Sequence, residues 1–162
     1  MSEREARFLF DRMLGKLCRK MRLLGYDSKL NPEGQTGRFL LNAEREGRIP
    51  VTMAKRRKER PGSPPVILES TGIKEQIAEL FAKIKKAPSL RPFSRCLECN
   101  EPLAPAKKEE VLDKVPEFVA EHFERFFVCP DCGRVYWEGT HFSAMKREIE
   151  SIKGKLKEKG FL

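Results

Sequence analysis

Apolar and polar positions change their spacing several times along the chain, and each change marks an element. Phe8-Leu9-Phe10 is a short apolar run closed by Asp11 and reads as a buried strand. Met13, Leu14, Leu17, Cys18, Met21 and Leu24 then recur at helical intervals, with Arg12, Lys16, Arg19 and Lys20 on the opposite face. Gly25 supplies the helix stop. Asp11 thereby falls between a strand end and a helix N-terminus, where negative charge is favoured. Phe39, Leu40 and Ala43 predict a second, shorter helix closed by Gly47. Ile49 to Thr52 reads as a second strand, weakened by Pro50, because proline cannot donate to a ladder. Val66-Ile67-Leu68 predicts a third strand, and Ile73, Ile77, Leu80, Phe81 and Ile84 a third helix.

This succession, in so short a chain, predicts a small α/β domain with a largely parallel sheet. Ligands of such sheets bind beyond the carboxyl ends of the strands. Asp11 follows one strand, and the basic run Lys55, Arg56, Arg57, Lys58 and Arg60 follows another, so both are expected at that edge.

The texture changes after a linker at residues 87–92. Cys96-Leu97-Glu98-Cys99 opens a knuckle, a polar stretch at residues 106–125 holds a short helix, and Phe126-Phe127-Val128 leads into Cys129-Pro130-Asp131-Cys132-Gly133. Val135-Tyr136-Trp137 returns as a strand. Phe142, Met145, Ile149, Ile152 and Leu156 mark a terminal helix. The expected division is an α/β domain at residues 1–90 and a cysteine module with the C-terminal helix at residues 91–162.

Two Cys-x-x-Cys pairs suit a four-thiolate tetrahedral site, which favours zinc over a redox pair or an iron–sulfur cluster. A closed four-cysteine site leaves no open coordination position, so the expected role of Cys96, Cys99, Cys129 and Cys132 is structural, holding together a ribbon too small to fold on its own core. Cys18, alone on an apolar helix face, reads as a buried small hydrophobe.

The 162 residues include 33 Lys and Arg against 24 Asp and Glu, a formal net charge of +9. That surplus favours a polyanionic partner, either nucleic acid or an acidic membrane surface. Apolar runs are too short for a transmembrane helix, and residues 1–7 lack an apolar signal core, so the expected location is cytoplasmic. Reducing conditions there also favour metal ligation over disulfides.

Several stretches are similar to the Mut-seven C-terminal RNase domain family, which joins a PIN-like (Rossmann-like) nuclease fold to a zinc ribbon. They include Phe8-Leu9-Phe10-Asp11-Arg12-Met13-Leu14-Gly15-Lys16-Leu17, Leu23-Leu24-Gly25-Tyr26-Asp27, Ala43-Glu44-Arg45-Glu46-Gly47-Arg48-Ile49 and Glu75-Gln76-Ile77. Pro92 to Asn100 and Cys129 to Trp137 resemble the family's ribbon, and Gly139-Thr140-His141-Phe142 resembles the segment C-terminal to it.

The resemblance implies hydrolysis of RNA by metal-bound water, with clustered carboxylates holding Mg²⁺ or Mn²⁺. Asp11 matches the first acidic position and Asp27 is present. Two further acidic positions of the family fall on Thr36 and, two residues after Thr52, on Ala54. A cation site there loses ligands and gains like charge from the neighbouring basic run. Glu33, Glu44 and Glu69 are the candidate substitutes.

Three readings fit this sequence. The first is a PIN-like protein that binds RNA without cutting it, through Arg12, Lys16, Arg19, Lys55, Arg56, Arg57, Lys58 and Arg60. Arg134, Tyr136 and Trp137 can add ribbon contacts, against the simpler expectation that Tyr136 and Trp137 pack on the final helix. The second reading is an active Mg²⁺- or Mn²⁺-dependent endoribonuclease with a rearranged site, using Asp11 and Asp27. The third is a protein-interaction module docking through the ribbon. His141 is expected to serve as a helix start or supporting hydrogen bond, and His122 has no assigned role.

Overall fold

The computed structural model describes residues 5–31, 38–55 and 61–162. Four short strands, β1 (Phe8–Phe10), β2 (Ser28–Leu30), β3 (Ile49–Thr52) and β4 (Val66–Ile67), form one parallel sheet in the order β2-β1-β3-β4. A single 3-10 turn at Arg12–Leu14 leads into α1 (Gly15–Leu23); α2 (Arg38–Glu46) precedes β3, and α3 (Ile73–Ile84) follows β4.

Successive strand residues point to opposite faces, and that alternation builds the layers. Phe8 and Phe10 join Leu17, Met21, Ile77 and Phe81 in the main core, whereas Leu9 meets Phe39, Leu40 and Ala43 of α2 on the other face. Helices therefore cover both sides of the sheet, as parallel sheets require.

β2 carries only one buried residue, Ser28, so its polar sequence gives no strand signal; it is an edge strand fixed by its backbone register with β1. Pro50 is tolerated inside the sheet for a positional reason. Ile49 donates its N–H to Arg7 on the β1 side, so the next residue faces β4. The first β4 residue, Val66, pairs with Val51, so no β4 acceptor stands opposite Pro50.

Met13 departs from the predicted apolar face. The 3-10 turn winds more tightly than an α-helix and rotates its side chain outward, leaving it 82% exposed. Cys18 is buried as expected; burial pushes its thiol up to about 11.

A second, antiparallel sheet comes next in the chain, β5 (Ala104–Ala106), β6 (Phe126–Val128) and β7 (Val135–Trp137), in that order. The polar stretch before β6 holds two short helices, α4 (Lys108–Val111) and α5 (Glu117–His122), rather than one. The terminal helix, α6 (Thr140–Glu158), returns to the first unit, and its Ile149, Ile152 and Leu156 lie in the main core with Leu97. The main core thus takes residues from both sides of positions 90 and 91, while the second sheet has a small cluster of its own at Val111, Val119 and Phe126. No described helix is long and apolar enough to cross a membrane.

Gly25 fixes how the linker returns. It holds φ +97°, and a Cβ there would stand 2.3 Å from the Arg91 carbonyl oxygen. Arg91 and Phe93 donate their N–H groups to Leu24 and Leu23, so the linker cannot move aside freely. Gly25→Ala is expected to cost at least about 2 kcal/mol of unfolding free energy in a denaturant titration; an unchanged midpoint would mean that the contact yields.

Candidate functional site

The chain leaves β1 toward β2 on one side and reaches β3 on the other, with α1 and α2 on opposite faces of the sheet. The strand order therefore reverses at β1 and β3, the position where open α/β sheets place ligands. Asp11 ends β1 and Thr52 ends β3. The Thr52 hydroxyl donates to Asp11 Oδ2 at 2.8 Å, and Asp11 Oδ1 accepts the Met13 N–H at 3.3 Å. Thr52 Oγ1 in turn accepts the Ala54 N–H at 3.1 Å. Asp11, Thr52 and Asn31, which follows β2, are all buried at this edge.

Asp27 lies at the other end of the sheet. Phe8 pairs with Ser28, so Asp27 is level with Arg7, before the strands begin. Four residue steps separate that level from Asp11, roughly 13 Å at a strand's rise. One hydrated divalent cation cannot take oxygens from both.

Asp27 has a different set of partners. Arg48 Nη1 reaches its Oδ1 at 2.6 Å, Arg7 Nε its Oδ2 at 3.0 Å, and Asn100 Nδ2 donates to Oδ1 at 2.7 Å. Arg48 also pairs with Glu46 Oε2 at 2.9 Å, which Lys29 shares at 2.8 Å. Arg7, Asp27 and Arg48 immediately precede three adjacent strands, so they lock the amino edge. Burial pushes the Asp27 carboxyl up, but the hydrogen bonds from Arg48, Asn100 and Arg7 outweigh it and hold the carboxyl well below the usual range.

Of the predicted RNA-contacting residues, Arg12, Lys16 and Lys55 are exposed at or near the carboxyl edge. Arg19 faces the ribbon instead and pairs with Glu98. Arg56, Arg57, Lys58 and Arg60 lie outside the described residues, as do Thr36 and Glu33. Glu44 is exposed on α2. Glu69 is exposed beyond β4, where its N–H and that of Ser70 donate to the Glu79 carboxylate; burial pushes that carboxyl up, but Lys83 and the two N–H groups outweigh it and hold it at about 2.

The four cysteines meet. All four sulfurs lie within 4.8 Å of one another, and the Cys96 and Cys132 sulfurs are 3.8 Å apart. A tetrahedron of sulfurs about 2.3 Å from a central zinc has edges of about 3.8 Å, whereas a disulfide needs about 2.05 Å. The cluster therefore fits a metal ion of that size and softness.

Its two halves repeat the same turn. Cys96 N–H donates to Glu101 and Asn100 N–H to Cys96; Cys129 N–H donates to Arg134 and Gly133 N–H to Cys129. The residue after each second cysteine is left-handed, Asn100 at φ 70° and Gly133 at φ 72°. The backbone N–H of Arg134 favours the Cys132 thiolate and draws that thiol down to about 7.

Asn100 shows why one left-handed position is not glycine. Its side chain accepts from Ser28 N–H at 2.8 Å while donating to Asp27, so it joins the first knuckle to the sheet. Arg22 adds bonds to the Leu97 and Glu98 carbonyls, and Arg95 bonds both Gly25 and Asn100.

Tyr136 neither stacks outward nor merely packs. Its hydroxyl lies 3.1 Å from the Cys96 sulfur and accepts the Leu97 N–H at 3.2 Å. Burial and the Cys96 contact both push its phenol up. Sequence spacing carries no sign of this contact, because it crosses between the two knuckles. His122 bonds the Phe118 carbonyl on its own helix, and His141 is exposed on the first turn of α6.

The family model of the Mut7-C RNAse domain aligns with residues 6–149, which takes in both sheets, all four cysteines and the first half of α6. No curated protein and no solved structure matches.

Proposed function

The chain belongs to the Mut7-C RNAse domain family, and from that membership we propose that it binds RNA at the carboxyl edge of its parallel sheet without cleaving it, its ribbon held by a structural zinc. One observation carries the proposal. Among the described residues, the only group of three or more potential metal ligands is the four-cysteine cluster. At the switch point Asp11 is held by Thr52, and the position after the turn is Ala54, followed by Lys55. Arg12, Lys16 and Lys55 stand exposed at or near an edge where a hydrolytic site needs several carboxylates together.

Arg12, Lys16 and Lys55 would neutralise phosphates there, giving affinity that falls steeply with salt. Cys96, Cys99, Cys129 and Cys132 would hold a zinc with all four thiolates, leaving no open position, so it would supply folding energy and no reaction step.

The test is retention and cleavage of a mixed pool of structured and unpaired RNA, in Mn²⁺ or in EDTA. Retention without cleavage is expected in both. Replacing Arg12, Lys16 and Lys55 together by alanine should make the log–log salt dependence shallower by roughly two to three. Cleavage that needs both Mn²⁺ and Asp11 would establish the endoribonuclease reading in its place.

A further inference from the structure

Lys16 and Arg19 stand three residues apart on one face of α1, and Arg12 is exposed on the 3-10 turn just before it, so the three form a cationic stripe. The stripe starts at the Asp11 edge and ends roughly 10 Å away, where Arg19 enters a cleft bounded by α1, α5, β7 and the start of α6. The cleft holds about 690 Å³ and lies within the usual size range of ligand pockets. Phe118, Trp137 and Phe142 line it, and Arg19, Arg134 and His141 stand around them.

Lys20 and Glu148, which also line the cleft, pair with each other at 2.6 Å. Arg19 pairs with Glu98, which Arg134 also faces, and Arg134 bonds the Cys132 sulfur as well. Phe142 packs on Phe93 at 4.3 Å between centroids and Trp137 on the Val111, Val119 and Phe126 cluster, so Phe118 is the aromatic group most open to a ligand. Phe118 is 63% exposed, with His122 stacked on one face at 4.1 Å between centroids.

The geometry points to a stacking site for the bases of unpaired RNA, fed by the α1 stripe. A cationic rim tracks phosphates, while aromatic faces accept any base; together they are the features that single-strand readers combine. A duplex keeps its bases stacked inside and offers no free base face, so the site selects for single strands. The inference rests on the RNA-binding proposal but concerns a separate surface, on the ribbon side of α1.

Trp137 is the chain's one tryptophan, so tryptophan emission reports on the wall of this cleft. Titration with a uridylate decamer should quench Trp137 in a saturable, salt-sensitive manner. A duplex RNA of the same length, and inorganic polyphosphate, should leave the emission unchanged. Phe118→Ala combined with His141→Ala, both at exposed positions, should weaken decamer binding roughly tenfold while leaving duplex retention as it was.

Filter retention is measured on the same samples. If the decamer is retained but Trp137 emission and the double variant's affinity do not change, the cleft is not the base site, although the carboxyl-edge reading stands. Quenching reproduced by polyphosphate would also overturn base stacking. If no RNA is retained at any salt concentration, both readings fall, and the cleft is left for a protein partner.

Discussion

Cys129→Ser protein is expected to purify without stoichiometric zinc and to lose the β6–β7 end of the ribbon while keeping its four-stranded sheet. The asymmetry follows from how the two knuckles are anchored. The first is tied to the parallel sheet through Asn100, Arg22 and Arg95, independently of any metal. The second is held by its own backbone turn, by the Tyr136 contact and by the sulfurs. Its local cluster contains only Val111, Val119 and Phe126 as buried members, too little apolar surface to stabilise a three-stranded sheet alone.

Structural zinc contributes about 10–16 kcal/mol to comparable small modules near neutral pH, so losing one of four thiolates should remove most of what holds this half. Metal analysis and hydrogen exchange check the prediction together. Amides of residues 126–137 should exchange rapidly, and those of residues 96–100 should stay protected. Stoichiometric zinc in Cys129→Ser would refute the four-cysteine ligand set. Equal loss of protection in both knuckles would refute the anchoring argument.

The elements legible in the sequence are those whose burial follows a single period. Phe8 to Phe10, Ile49 to Thr52 and the face of α3 all have apolar residues where the packing needs them. β2 is not legible because an edge strand with one buried residue is specified by its neighbour's register rather than by its own side chains. β5 is short and contains Pro105, so it too lacks a pattern. Met13 escapes the helical pattern because a 3-10 turn shifts the phase before α1 begins.

The site divides in the same way. Cysteine spacing is a local code, and its four members meet as expected. Asp11 can be placed because strand ends share an edge. Asp27 cannot, because one residue before a strand and one residue after it look alike in a sequence when the strand itself goes unrecognised. Once β2 is known to begin at Ser28, Asp27 belongs to the amino edge, with Arg7 and Arg48.

That placement gives the second large effect. Asp27→Ala is expected to cost about 3 kcal/mol, because it takes the nearer of two carboxylates from the Arg48 guanidinium, whose side chain is only 2% exposed, and leaves it Glu46. Against a usual total of about 5–15 kcal/mol, that is enough to bring the chain close to unfolding. The loss belongs to a buried charge left with one carboxylate instead of two, rather than to the net worth of the pair. Asp27→Ala with Arg48→Met should therefore recover much of it, whereas a residue needed for chemistry would not be rescued by removing its partner.

Acid should act on the same lock. The folded carboxyl lies below its unfolded value, so its stabilisation is complete above the usual Asp value of 3.8 and is lost as pH falls below that toward the depressed folded value. Wild type should lose stability over that range more steeply than the double variant, in denaturant titrations at stepped pH. RNA retention per folded molecule should be the same for all three proteins, since the lock and the carboxyl edge lie at opposite ends of the strands. Parallel acid slopes would show that Asp27 is not what the low-pH transition titrates. Loss of retention at full stability would bring Asp27 back into the RNA site.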